Sequence, residues 1–166
     1  MDYDEAASYW EKRDAAGKKA DREKLMAKAE AFLTAHNTCA LATGHGTQVR
    51  CTPLEYTYWE GCFWILSEGG EKFRNLKVNQ NVCLAICDGY TGFVTLAGMQ
   101  VTGRAQMIEP WSTLYCALLA YKNIPESALR GLDHPMYLIR VLPSHIDFLH
   151  TDFKKLGFSA RQQLDF

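Results

Sequence analysis

Between Phe93 and Ile108 the chain alternates apolar and polar residues for far longer than a flat strand usually runs, and it carries Gly98 and Gly103 inside that stretch. A period of two places one face of a strand against a core. A strand of this length bends, and glycines within a strand are where bends and bulges form. The expectation is a curled, mainly β structure, a barrel in preference to a flat sheet.

The remaining strands are shorter. Thr38 to Thr43 reads as a first strand that ends at Gly44-His45-Gly46, and Gln48 to Trp59, rich in Val, Thr and Tyr, reads as its hairpin partner. Pro53 lies in the middle of that partner and removes a ladder donor, which predicts a bulge or an unpaired position. Glu60-Gly61 then turns into Cys62 to Leu66, completing a three-stranded antiparallel meander. Val82 to Cys87 is another strand, closed by the turn Asp88-Gly89-Tyr90-Thr91-Gly92. Met136 to Leu142 is the last strong one, turned at Pro143-Ser144 and followed by a short strand over Ile146 to Leu149.

Helices lie around these strands. Asp4 to Ala16 carries Tyr9 and Trp10 on one face and stops at Gly17; Asp21 caps a second helix in which Leu25, Ala29, Phe32 and Leu33 form one apolar stripe through Ala35. Trp111 to Tyr121 and Pro125 to Leu129 are helical by spacing and by the proline start. Thr151 to Phe166 has no clear period. The 166 residues read as one α+β domain: helices over 1–36, the barrel with its inserted helices over 37–150, and a tail over 151–166. A chain of this length buries about two thirds of its unfolded surface without metals or disulfides.

Charge and composition narrow the partners. With 18 Lys and Arg against 19 Asp and Glu, no global field favours nucleic acid or an anionic membrane. No apolar stretch approaches the ~20 residues that cross a bilayer, and the acidic start Met1-Asp2-Tyr3-Asp4-Glu5 is unlike a secretory signal, so the expected location is cytoplasmic. The six cysteines, Cys39, Cys51, Cys62, Cys83, Cys87 and Cys116, form no Cys-x-x-Cys pair and lie mostly in strand-like runs, which predicts reduced, buried thiols.

One local anion site stands out. Cys62 to Leu66 ends in Ser67-Glu68-Gly69-Gly70, and Phe73 and Leu76 then mark a short helix before the next strand. Strand, glycine turn and helix bring a hydroxyl together with free N–H groups at a helix start, where anions bind. Lys72 beside Ser67, and Arg50 with Thr52-Pro53 on the earlier strand, would supply the charge and donors for a phosphate monoester, which carries about −1.5 to −2 at neutral pH. The competing reading makes Lys72, Arg74 and Lys77 a solvated helix face and Arg50 an ordinary surface cation. His36, Cys39, His45 and Cys51 match no common structural zinc spacing, and core packing is the default for Trp10, Trp59, Trp64 and Trp111.

Cys39-Ala40-Leu41-Ala42-Thr43, Arg50-Cys51-Thr52-Pro53-Leu54, Phe63-Trp64-Ile65-Leu66-Ser67 with Lys72, Asn75-Leu76 and Asn79-Gln80-Asn81-Val82, then Val101-Thr102-Gly103-Arg104-Ala105, form an ordered series. In this series the chain resembles the pyridoxamine 5'-phosphate oxidase-like FMN-binding split-barrel family over roughly residues 25–150. The resemblance implies a six-stranded antiparallel split barrel, paired as a homodimer with FMN in a groove between subunits. It implies that Arg50, the hydroxyl near Ser67 and Lys72 hold the phosphate, that backbone at Cys51, Thr52 and Pro53 faces the isoalloxazine ring, and that Gln100 sets a side-chain amide against the flavin. Gly70-Glu71-Lys72 stands where the family's better-known enzyme has Ser-Arg-Lys, and Thr151 to Phe166 has no counterpart of the Trp and Arg that grip its vitamin substrate.

The activity so implied is an FMN-dependent oxidoreductase on a small molecule, a flavin reductase or nitroreductase-like enzyme with NAD(P)H as electron donor. No side chain reads as a dedicated acid or base. The alternative on the same barrel is a non-catalytic flavin- or haem-binding protein, for which His45, His134, His145 and His150 are the available axial ligands.

Overall fold

A computed structural model describes residues 2–166. The chain opens with helix α1 (Tyr3–Ala15), where the Asp2 carboxylate accepts from the N–H groups of Asp4 and Glu5. Helix α2 (Arg22–Ala35) starts under an Asp21 cap and buries the expected stripe of Leu25, Ala29, Phe32 and Leu33. The strands are β1 (Thr38–His45), β2 (Gln48–Glu55), β3 (Thr57–Trp59), β4 (Cys62–Ser67), β5 (Asn81–Cys87), β6 (Ala97–Ile108), β7 (Tyr137–His150) and β8 (Arg161–Asp165). Helix α3 (Glu71–Val78) joins β4 to β5, and helices α4 (Thr113–Tyr121) and α5 (Glu126–Arg130) join β6 to β7.

The strand order is β2-β1-β5-β6-β7-β4-β3, with β8 added on β7. Strands β2 and β3 sit at opposite ends of that order, yet only Tyr56 separates them in the chain, so the sheet must curl until its ends meet. Tyr56 fixes this corner: its N–H donates to Asn37 O at 2.7 Å and its hydroxyl to Leu33 O at 2.8 Å, tying the bend to the end of α2. The barrel is thus mainly β with helices outside it. Taking β2 and β3 as one bent strand, six strands form the barrel and β8 is a seventh. The expected three-stranded meander is present in bent form: β1 pairs with β2 and, past the bend at Tyr56, β3 turns at Glu60-Gly61 onto β4, so its two pairings lie at opposite ends of the strand order.

Pro53 causes no bulge. It pairs in register with Ala40 of β1, and its own strand β2 lies at the end of the order, where a missing N–H breaks no ladder. The bend falls on β6 instead, which begins at Ala97, after a 3-10 turn over Phe93–Thr95. Its register with β7 shifts between Thr102 and Gly103, whose partners are His145 and Pro143. Ser144 is the extra residue, and its hydroxyl donates to Thr102 O at 3.2 Å. A Cβ on Gly103 would stand 2.4 Å from Leu142 O, so the bulge needs a glycine there. Pro143-Ser144 is therefore not a turn: the proline's missing donor falls where the ladder is already broken, and β7 runs straight through.

The tail is ordered too. After a 3-10 turn over Thr151–Leu156, β8 pairs with β7 from Leu149 to His145. Its inward residues are Gln162 and Leu164, and Gln162 is fully buried with its amide bonded to Ala20 N, Lys18 O and Ser159 O. The main core fills the barrel around Leu41, Phe63, Leu84, Val101 and Phe148. A second cluster, Trp64, Tyr115, Leu118 and Leu138, packs α4 onto the outside of β4 and β7. Among the described residues no helix is long and apolar enough to cross a membrane. All six cysteines are free, but only Cys39 and Cys62 are buried; Cys51 and Cys87 are exposed.

Candidate functional site

Gly70, whose φ of 121° favours glycine, leads into helix α3, and no side chain caps the first N–H groups of the helix. Lys72, in the first turn, is buried. Its ammonium donates to the carbonyl oxygens of Glu68 at 3.1 Å and Gly69 at 3.2 Å, neutral partners that satisfy hydrogen bonds without cancelling charge. Burial holds Lys72 below the ordinary lysine range, the Arg50 guanidinium pushes the same way, and Glu68 opposes. Two cations thus face one corner, although one comes from β2 and the other from α3. Glu71, the acidic residue in the phosphate turn, is drawn along the helix into a 2.9 Å pair with Arg74.

The hairpin of β1 and β2 supports this corner. Arg50 pairs with Thr43, and Thr43 Oγ1 accepts from Asn75 Nδ2 of α3 at 3.2 Å, which seats the helix on the strands. Thr52, opposite Leu41, shares the Arg50 face by alternation. Its Oγ1 is the one buried side-chain polar atom among the described residues with no hydrogen-bond partner. Ser67, also buried, donates to Glu68 O at 3.1 Å. A buried unpaired hydroxyl is costly unless something meets it.

Cys51 and Pro53 point to the opposite, outer face. From Pro53 the pairs run to Ala40, Ala85, Gln100 and Asp147 across β1, β5, β6 and β7. Gln100 is exposed on that row, roughly 14 Å from Pro53 at about 4.8 Å per strand. Of the seven residues expected at the site, the fold brings Arg50 and Lys72 together at the α3 corner and puts Gln100 at the far end of the outer face.

That far end holds a cleft of about 450 Å³ absent from the sequence reading. Its walls include Asp14 of α1, Tyr90 of the β5–β6 connection, Gln100, Asp147, and Arg161 and Gln163 of β8. The signal was hidden because β8 carries Gln162 where an inward apolar residue would have revealed the alternation.

The histidines are differently engaged. His145 Nδ1 lies 2.6 Å from Asp165 and its Nε2 3.4 Å from Asp147; the Asp165 bond raises its pKa. His150 packs edge-on to Phe32, Phe148 and Phe153, and burial lowers its pKa. His45 and His134 are exposed. Among the described residues no three His, Cys, Asp or Glu side chains converge as metal ligands. Cys39, of the weighed zinc set, is an inward thiol that burial pushes up to about 12. Trp59 stacks on Tyr121 at 4.9 Å and Trp64 is buried beneath it, but Trp10 is exposed between Arg13 and Arg161 and takes no part in the core.

This fold recurs among solved structures. An FAD-binding protein from Mesorhizobium loti is 19% identical with a TM-score of 0.60, over 73% of this chain and 89% of that one. The heme storage protein HutZ from Vibrio cholerae is 21% identical with a TM-score of 0.59, over 70% and 87%. ChuZ from Campylobacter jejuni is 16% identical with a TM-score of 0.65, over 89% of this chain and 61% of its own. No curated protein matches the chain in sequence. The sequence pattern of pyridoxamine 5'-phosphate oxidase does match, over residues 25–127, from the buried stripe of α2 through both strands of the α3 corner and on past α4. A match over that much of the length, on a curled sheet of this order, means that the chain belongs to the pyridoxamine 5'-phosphate oxidase family.

Proposed function

We propose that the chain is an FMN-binding oxidoreductase, acting on a small molecule as a flavin reductase or nitroreductase-like enzyme. The observation that carries this is the α3 corner: buried Lys72 beside Arg50, an uncapped helix start, and the unpaired Thr52 hydroxyl. A phosphate fits that set, since it neutralises both cations and accepts from the helix N–H groups and from Thr52. Lys72 and Arg50 hold it, Ser67 and Thr52 orient it, and the strand at Cys51 and Pro53 bounds the ring. FMN, when bound, supplies the transfer of electrons from a reduced nicotinamide or another donor. The chain's own part is to bind, orient and shield.

The small residues Ala40 and Ala42 leave the β1 end of the outer face flat, and we take a second copy of the chain to cover that end as a homodimer around the flavin, with the Gln100 end left open. Six free cysteines agree with a reducing, cytoplasmic setting. The haem alternative draws on the likeness to HutZ; its freest ligands are the exposed His45 and His134.

The visible spectrum of the purified protein tests the assignment. A flavin spectrum supports it; a Soret band transfers it to haem; neither, with no FMN binding on titration, overturns it. Lys72→Ala and Arg50→Ala should each weaken FMN binding by about 1–3 kcal/mol, since each removes a charge-assisted bond.

A further inference from the structure

The cleft at the Gln100 end carries a charge and a shape that the cationic corner lacks. Its floor is made of small outward residues: Ala85 pairs with Gln100, and Gly98 with Cys87 and Leu149. A Cβ on Gly98 would come within 3.1 Å of the Cys87 Cβ, so this floor stays low. A low, flat floor suits a planar ring.

The carboxylates around it outnumber the cations. Asp14, Asp88 and Asp147 line the cleft against the single Arg161. Asp14 lies 3.4 Å from Arg161, and Asp88 is held at 2.7 Å by His36 from behind. Asp147 takes both its contacts, Gln163 Nε2 at 3.0 Å and His145 Nε2 at 3.4 Å, on the same oxygen, Oδ1. Its second oxygen remains for a ligand. Tyr90 stands on the rim, exposed, and offers a π face to a positive charge.

We infer that this cleft seats a planar aromatic cation, with an N–H or positive ring edge on Asp147, the Gln100 amide beside it and Tyr90 above. As the place of the substrate beside the flavin, the inference rests on the reading given above. An anionic partner such as a nicotinamide dinucleotide phosphate meets net repulsion here, so the cleft discriminates the small-molecule substrate from the phosphate-bearing donor.

Methylene blue, a planar cation, and the anion of 2,6-dichlorophenolindophenol serve as probes in equilibrium dialysis against the full chain, with flavin content read from its own absorbance. The expected result is methylene blue binding at least tenfold tighter than the indophenol. Asp147→Asn should weaken it at least fivefold, and Tyr90→Leu, on an exposed connection where folding is not at stake, about threefold. Flavin absorbance should be unchanged in both variants. Equal binding of the two dyes, or unaltered methylene blue binding in both variants, overturns the inference. Selective, Asp147-dependent dye binding by a protein that takes no flavin supports the cation site while the flavin reading fails.

Discussion

The α3 corner and the Gln100 cleft lie on one sheet and are opposite in nearly every physical respect. The corner concentrates positive charge where a lysine is buried, and it is assembled from a turn and helix that are local in sequence. The cleft concentrates carboxylates where the surface is open, and its walls come from α1, the β5–β6 connection, β7 and β8. An anion-binding site benefits from burial because low dielectric strengthens each contact. A site that only selects among planar cations needs a field and a floor, and exposure suffices.

One bent sheet holds both ends in place. Gly103→Ala disturbs that sheet most severely. The added methyl would meet Leu142 O and Val141, and backbone cannot move aside cheaply. The expected cost is about 1–3 kcal/mol, read as a lower melting temperature; an unchanged melt would mean that the bulge tolerates a side chain.

A pH titration of the corner comes next. Free Lys72 sits below its ordinary 10.5, so between the lowered value and 10.5 the unfolded chain binds more protons than the folded one, and stability rises with pH there. A bound phosphate favours the protonated lysine, so FMN affinity should fall as pH climbs through the same window. Isothermal titration across that range should show the fall in the natural protein and not in Lys72→Ala. A pH-independent affinity in the natural protein would remove Lys72 from the phosphate.

Much of the corner was legible in the sequence because its parts are local: Ser67, the glycines and Lys72 span one turn, and the Arg50 strand is the next hairpin over. Helix α2 was legible for the same reason, through a clean apolar stripe. What escaped was set by tertiary pairing. Pro143 reads as a turn until Gly103, far off in sequence, is seen to break the ladder opposite it. Tyr56 reads as one more strand residue until Leu33 of α2 is seen to hold its hydroxyl and Asn37, just past that helix, its backbone N–H. β8 was missed because a buried Gln162, satisfied by two bonds to the distant backbone of Lys18 and Ala20 and one to nearby Ser159, looks like surface. The cleft was missed with it, since β8 forms one wall.

Thr52→Val separates the corner's binding role from its structural one. The hydroxyl has no partner in the free protein, so replacing it with a methyl of similar shape should leave the melt unchanged or raise it by up to about 1 kcal/mol of stability. FMN affinity should drop by a similar amount if the hydroxyl meets the ligand. A destabilised variant would mean that Thr52 is satisfied within the chain.

The smallest effect is expected beside the cleft, where two histidines on β7 are shifted in opposite directions. His145 is raised by the Asp165 bond, with Asp147 assisting, and Arg22 Nη2 donates to Asp165 O at 2.7 Å from α2. A raised folded pKa gives stability that is complete below 6.5 and lost as pH climbs through the folded value. His150 is lowered by burial, with Lys28 adding to it, so its contribution is present above 6.5 and lost as pH falls towards the lowered value. His145→Gln should therefore remove the part of the melting temperature that mildly acidic buffer adds over mildly alkaline buffer, and leave the His150 loss at lower pH in place. Equal pH slopes in the natural protein and the variant would show that the His145–Asp165 pair does not stabilise the fold.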